Sequence, residues 1–447
     1  MTDLYSKLKQ KVVGRPYVKK VIKNIGWLSF DRIFQIVVSL FVGVWIARYL
    51  GPSDFGLMSF VIAIGAILSP FIGLGISNLL IREIISHPKL KYSLIGTTFW
   101  VNLLTSLLAA LVMNLSVWII KPGNIEVSLV MLVHSVGYVV SSLGILSCWF
   151  EAKVESRKVV VSRNVALFLS SVVRVWLLVA GFPVLFFVAA SVFEILFNST
   201  LLVYYYVKEK QDILKWKFSF GLAKKLFYSS WPLMLSGAMV LVYLRIDQVM
   251  IGMMLDETQV GIYSVAIKIA ELFVFIPGAI CISLFPALML AKKESLERYS
   301  SRLQRFFDLM TWLPMSYIIP VSLFSSFIVV FLYGAEYAAA GPVLMVSVWS
   351  ALGVSIKFAL ERYLIIENKT RIMFFNALAG AVTNICLNLV LIPSFGIMGA
   401  SFATLISYVA SAYLSLLVFP KTRPVFFMLL KSFWLPRIVS GLFRQIK

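Results

Sequence analysis

The residue types that carry most hydrolytic and metal chemistry are nearly missing from this chain. Its 447 residues include two histidines, His87 and His134, and three cysteines, Cys148, Cys281 and Cys386. Two histidines cannot build a histidine-rich metal centre. Three cysteines dispersed in apolar runs imply neither a disulfide framework nor a zinc site, so no metal site is expected. Charge is scarce as well: Asp, Glu, Lys and Arg make up 14% of the chain, against about 25% in soluble proteins. Acidic residues are the scarcer sign, 20 against 41 basic ones, for a formal net charge of +21. Hydrophobic residues make up 60%, and that balance describes an integral membrane protein. The basic start is not followed by a short apolar core with a small-residue cleavage site, so no removable signal peptide is expected.

Apolar runs near the ~20 residues that cross a bilayer are predicted at 26–48, 55–80, 93–120, 127–150, 162–181, 184–207, 227–253, 260–288, 306–332, 341–364, 372–393 and 397–419. The expectation is an all-α polytopic membrane protein with about twelve transmembrane helices. Residues 1–25 read as a basic cytoplasmic amphipathic N-terminus, interrupted by Pro16. Six spans follow over 26–207, then a basic inter-lobe loop at 208–225, six spans over 226–419, and a basic cytoplasmic segment at 420–447. Within that last segment, 425–435 is apolar but too short to span, and reads as interfacial. With the N-terminus inside, every cytoplasmic segment is net positive and no outer turn is. The basic charge is therefore a topology signal for the cell membrane with both termini cytoplasmic, and no nucleic-acid partner is expected. The outer turns are too short to fold into a catalytic domain, so the chain is not expected to be an enzyme.

A shift of 205 positions lays the first two spans on the seventh and eighth, with Leu50 on Leu255, Gly56 on Gly261, Ser59 on Ser264, Gly73 on Gly278 and Leu79 on Leu284. Glycine also suits a tight turn feeding a helix, which alone accounts for part of the match. Two six-helix halves with a repeat between them match a transporter design that binds substrate at the midplane.

Charges inside the spans are expensive, roughly 2.5–3.5 kcal/mol each near a helix centre, and each needs a partner or a function. The stretch Tyr228–Pro277 holds four: Arg245 and Asp247 on one predicted helix, Lys268 and Glu271 on the next. Lys268 and Glu271, three apart, can pair with each other. Arg245 and Asp247 point about 200° apart on a helix, so each needs a partner from another helix or a ligand. In the first half the equivalent positions are Leu40, Val42, Ala63 and Ala66. Elsewhere the spans hold Asp31, Arg32, Arg174, Glu194 and Lys357, with Arg48 at a span end. Arg174 and Glu194 flank the turn at Gly181–Pro183 and are expected to form a structural pair, whereas Arg32 can snorkel to the interface. If the Arg and Lys residues line one cavity, it attracts an anion, and the guanidinium fork suits phosphate.

Several stretches resemble the polysaccharide (Wzx-type) flippases of the multidrug/oligosaccharidyl-lipid/polysaccharide exporter superfamily. They are WIARYLGPSDFGLMSF (45–60), SSWPLMLSGAMVLVYLRIDQVMIG (229–252), VGIYSVAIKIAELFVFIP (260–277), LFPAL (284–288), LYGAEYAAAGPVLMV (332–346) and FGIMGASFATLISY (395–408). The resemblance implies two six-helix lobes in a MATE-like V with a central cavity. It also implies translocation of a polyprenyl-pyrophosphate-linked oligosaccharide by alternating access, with cation coupling in some members. Carried to this chain, Arg245 and Lys268 are the first candidates for pyrophosphate, with Arg32, Arg48 and Lys357 next. Asp31, Asp247 and Glu271 are candidates for holding those cations or a coupling cation, Na+ or H+; no other cofactor is expected. Lipid-linked oligosaccharide and membrane lipids are the expected partners of a monomer, beside a glycan polymerase or glycosyltransferase. A cation-coupled drug exporter of the same superfamily is the rival reading, because acidic and basic intramembrane residues nearly balance.

Overall fold

The computed structural model describes residues 16–434. Residues 1–15 and 435–447, which carry much of the two expected basic termini and the last residue of the 425–435 stretch, lie outside the described residues. Among the described residues the regular structure is entirely helical. Pro16 is the first described residue, and the helical stretch Pro16–Leu68 begins there; Arg423–Ser432 forms a short helix overlapping the expected interfacial stretch.

Ten helical stretches among the described residues are long and apolar enough to cross a bilayer. Two of them, Phe34–Ser86 with 53 residues and Arg371–Val418 with 48, are far longer than one crossing of a ~30 Å hydrocarbon core requires. Each covers two predicted spans, and each leaves helical geometry at a glycine. Gly51 has φ 67 and ψ 175; Gly396 has φ 59 and ψ −140. A side chain would penalise either conformation, and both glycines fall where sequence places outer turns. Other turns are capped by side chains: Asn124 accepts from the Val127 amide at 3.1 Å, Asp256 from Gln259 at 2.8 Å and Ser295 from Arg298 at 3.2 Å. Glu126, Glu257 and Glu297 in the following first turns favour the positive end of each helix dipole.

The helices are solvated as lipid-facing helices should be. On Lys91–Ile120, Leu104, Leu107, Leu108, Leu111 and Leu115 form an exposed stripe at helical spacing, while Thr97, Thr98 and Ser106 are buried. Apolar out and small polar in is the reverse of a soluble amphipathic helix. The chain is a multi-pass membrane protein.

The described chain divides into two compact units. One holds the chain up to Leu50 together with Ile64–Gly237; the other holds Gly51–Ala63 and the chain from Ala238 onward. In the first unit, Val184–Lys208 packs against both Ile125–Ser141 and Ser156–Val179. Its buried cluster, including Leu80, Ile95, Trp149, Phe150 and Tyr206, lies beside the basic turns. Those turns are fastened by carboxylates: Glu83 takes Lys225 at 3.1 Å, and Glu209 takes Lys153 at 2.5 Å and Lys158 as well. In the second unit, Phe306, Phe307, Leu360, Leu364 and Leu429 belong to the equivalent cluster.

The repeat-related glycines meet inside the second unit. A Cβ on Gly56 would lie 1.7 Å from the Glu257 carbonyl oxygen, and one on Gly261 would lie 2.0 Å from the Pro52 carbonyl oxygen. Pro52 and Glu257 are themselves offset by 205 positions, so the contact is reciprocal: equivalent residues face equivalent residues. Small residues let membrane helices approach backbone to backbone. Gly56 and Gly261 therefore serve a helix crossing, whereas the turn itself belongs to Gly51.

Candidate functional site

The four charges that singled out Tyr228–Pro277 lie on two neighbouring helices, Phe220–Met254 and Glu257–Glu271, joined at Asp256. Arg245 and Asp247 diverge as helix geometry requires. Arg245 donates from Nη2 to Glu271 Oε2 at 3.0 Å, and both side chains remain about one-third exposed. Its partner thus comes from the other helix. Glu271, considered a mate for Lys268 on its own helix, reaches across to Arg245, and the Lys268 ammonium lies 4.3 Å from the centre of the Phe55 ring, a cation–π distance.

Asp247 is 3% exposed and is met by neutral donors. Tyr263 donates its hydroxyl to Oδ2 at 2.7 Å, Asn388 Nδ2 donates to Oδ1 at 2.6 Å, and the Thr404 hydroxyl donates to Oδ2. Behind these, Asn388 Nδ2 also reaches Asn384 Oδ1 at 3.2 Å, and Asn384 Nδ2 reaches Thr404 Oγ1 at 3.4 Å. Asn388 Oδ1 is buried without a hydrogen-bond partner. One turn earlier on the helix, Tyr243 packs edge-on to Tyr408 at 4.7 Å between centroids, and Lys357 lies 5.2 Å from the Tyr243 ring. Lys357 also interacts electrostatically with Glu361, one turn further along its own helix.

This arrangement brings a carboxylate together with hydroxyl and amide oxygens. Such hard oxygen donors suit a proton or a hard cation. Among the described residues no group of three or more His, Cys, Asp and Glu converges.

The remaining candidates lie in the first unit. Asp31 is buried and held by Arg163 through two bonds, Nε to Oδ1 at 3.3 Å and Nη2 to Oδ2, with Gln35 donating at 2.9 Å. Arg32 and Arg48 are exposed. Arg174 pairs with Glu194 at 2.9 Å and adds the Ser191 hydroxyl at 3.1 Å.

Sequence reasoning passed over Arg163, Tyr263, Glu361, Asn384, Asn388 and Thr404. Arg163 and Glu361 sit near the ends of the predicted spans 162–181 and 341–364, and the helices Ser156–Val179 and Ser350–Ile366 extend beyond both positions. Asn384 and Asn388 carried a legible signal: two amides four apart in an apolar run, one above the other on a helix face.

Comparison with known proteins bears on what this geometry serves. A family profile described as "Polysaccharide biosynthesis protein" matches residues 45–342. The chain is similar to "Probable flippase AglR" of Haloferax volcanii, 30% identical over 185 residues, covering 40% of this chain and 38% of that protein. A second relative from that organism is covered to 42%, so the chain spans about two-fifths of these relatives' length. A longer match, 23% identical over 414 residues and covering 88% of this chain and 96% of its counterpart, is to "Putative O-antigen transporter" of Shigella flexneri. Among solved structures, an inward-facing multidrug resistance MATE family transporter of the MOP superfamily superposes with a TM-score of 0.69 at 14% identity, covering 91% of this chain and 99% of that one. Lipid II flippase MurJ in an inward closed conformation gives 0.66 at 17% identity, covering 91% and 90%. The fold is that of the MOP exporters.

Proposed function

Because this chain belongs to the family of polysaccharide biosynthesis proteins, we propose that it is a flippase carrying polyprenyl-pyrophosphate-linked oligosaccharide across the cytoplasmic membrane by alternating access. Family membership carries the reading, since the shared fold alone serves drug exporters equally well. Counting two crossings in each of the two longest helices, the chain crosses twelve times, with both termini cytoplasmic by the positive-inside rule. It performs no covalent chemistry of its own.

The proposed pyrophosphate contacts are Arg245 and Lys268 first, then Arg32, Arg48 and Lys357. Glu271 uses one guanidinium arm of Arg245 and keeps the fork oriented. A doubly charged pyrophosphate competes with one carboxylate for that fork, so capture and release can follow the exchange of Arg245 between Glu271 and substrate. Asp247 is the proposed coupling-cation ligand, for Na+ or H+. The unpartnered Asn388 Oδ1 supports this, because turning that amide would exchange a donor facing Asp247 for an oxygen ligand.

The test is where the lipid-linked glycan collects. Arg245→Ala should insert normally yet leave lipid-linked oligosaccharide on the cytoplasmic leaflet, as loss of the whole protein should. Normal glycan export by a well-expressed Arg245→Ala chain would remove Arg245 from the site. If loss of the protein leaves glycan export intact and instead abolishes efflux of a cationic dye, the exporter reading replaces the flippase one.

A further inference from the structure

A notch of about 220 Å³ opens on the second unit between the helices Phe275–Glu294 and Leu296–Trp312, and none of the four hairpin charges lines it. Its walls are apolar, from Leu284, Ala287, Leu288, Phe306 and Leu309, and two arginines, Arg302 and Arg305, complete its lining. Arg302 and Arg305 are exposed. At 100° per residue they share a narrow stripe of the helix with Arg298 and Leu309. Arg298 has a carboxylate, Glu294, at 2.9 Å. Arg302 reaches only a backbone oxygen, that of Ala287, at 3.3 Å, and among the described residues Arg305 has no ion pair. The nearby Asp308 accepts from Gln304 at 2.8 Å and lies off the stripe.

Two uncompensated guanidinium groups beside an apolar slot make an amphiphile-shaped site. The volume falls below the ~300–1,000 Å³ of compact small-molecule pockets, and suits a segment of one acyl chain. Paired arginines on one helix face present their planar forks to a single phosphate, and basic pockets between membrane helices bind anionic head groups. The competing description is that both arginines simply extend to water along the helix. That leaves the apolar slot beside them unexplained.

We infer that the Leu284–Leu309 notch is a binding site for an anionic phospholipid of the surrounding bilayer, its phosphate held by Arg302 and Arg305 and its chain by Leu288 and Phe306. This goes beyond the flippase reading and does not depend on it, since the ligand is bulk lipid rather than cargo.

Native mass spectrometry of the full chain in detergent, with phosphatidylglycerol and phosphatidylcholine as probes, tests it without any transport assay. Wild type should retain one phosphatidylglycerol under conditions that strip phosphatidylcholine. Arg302→Gln with Arg305→Gln should weaken that retention about tenfold, equivalent to about 1.4 kcal/mol, while Arg298→Gln should leave it unchanged. Leu288→Trp, which fills the slot and spares both arginines, should also expel the lipid. Glycerol phosphate, a head group without a chain, should not bind measurably. Unchanged retention in the double variant would overturn the site, as would an equal loss in Arg298→Gln. Binding of glycerol phosphate as tight as the lipid, or preferential retention of a polyprenyl phosphate, would overturn the identity of the ligand.

Discussion

Asp31 and Asp247 sit in different units and are almost equally buried, at 4% and 3% exposed, yet their surroundings differ in kind. Asp31 faces a cation: Arg163 grips both carboxylate oxygens, and the Arg163 side chain is itself 42% exposed, so the pair's charge is balanced and half in reach of polar surroundings. Arg174 and Glu194 repeat that solution in the same unit. Asp247 faces two hydroxyls and an amide, which satisfy its lone pairs but bring no counter-charge. Burial alone therefore does not mark a site. Hydrogen bonds stabilise a buried carboxylate, but only a proton or a cation neutralises it. By that criterion Asp31 is charge-balanced by Arg163, whereas the hydrogen-bond partners of Asp247 are all neutral. The two are not repeat equivalents either, since Asp247 falls on Val42.

The most damaging way to break the contrast is to remove the second carboxylate. Asp247→Ala strands the Tyr263 hydroxyl and takes one acceptor each from Thr404 and Asn388, which keep the Ala400 carbonyl and Asn384 Oδ1; a buried orphan costs about 1–3 kcal/mol. Lost thermal stability in detergent and abolished glycan transport are expected together. Asp247→Asn separates the two effects, because it keeps an acceptor oxygen and removes the charge. That chain should fold but lose any dependence of transport on the Na+ or proton gradient. Wild-type transport with unchanged ion dependence in Asp247→Asn would make the two aspartates alike after all.

A smaller effect is expected at Asp31, with an asymmetry that tests whether the pair is self-contained. Arg163→Ala leaves a carboxylate that is only 5% exposed at its side chain, and breaking a buried pair this way costs about 3–5 kcal/mol. Asp31→Ala leaves an arginine already half exposed, which can rehydrate, so it should cost clearly less. The double variant should be more stable than Arg163→Ala alone. A thermal-denaturation cycle on the four chains measures this, and equal costs for the two single variants would show that the Gln35 bond suffices to hold the Asp31 carboxylate without Arg163.

The contrast itself was only half legible in the sequence. Helix geometry alone required Arg245 and Asp247 to part, and the need for outside partners followed from the cost of burying them. Which partners arrived was not legible, because Glu271 has Lys268 three residues away and Arg245 on the next helix, and spacing cannot rank them. Asn384, Asn388 and Thr404 escaped a reading that followed charge, although an amide buried in a membrane helix is also expensive. Arg163 and Glu361 escaped because each sits near the end of its predicted span, where a charge can reach the interface, whereas the helices Ser156–Val179 and Ser350–Ile366 extend beyond them. The glycines show the same limit. Their offset of 205 positions was plain in the sequence, but a glycine that closes a turn and one that admits a neighbouring backbone look identical there. The coordinates separate Gly51 from Gly56.

A third carboxylate gives the smallest and most easily read effect. Glu209 lies just past the end of Val184–Lys208, and Lys153 and Lys158 both grip it, as Arg163 grips Asp31, but beyond the membrane-spanning helix. Partial burial opposes its ionisation. The hydrogen bonds and charges of the two lysines outweigh that and bring its pKa from 4.5 down to about 2. A carboxyl depressed on folding stabilises the fold fully above its unfolded value, and the benefit fades as pH falls toward the folded one. Thermal stability should therefore decline between about pH 4.5 and 2, in part through this group. Glu209→Gln should lower stability at neutral pH and flatten the decline, with the variant and wild type converging near the acid end. Because solvent screens a pair this exposed, the difference should also shrink in high salt, which the enclosed Asp247 network should not. A variant whose pH profile parallels wild type throughout would show that the two lysines do not hold Glu209 ionised, and would leave Asp31–Arg163 and Arg174–Glu194 as the charge pairs on which the first unit's side of the contrast rests.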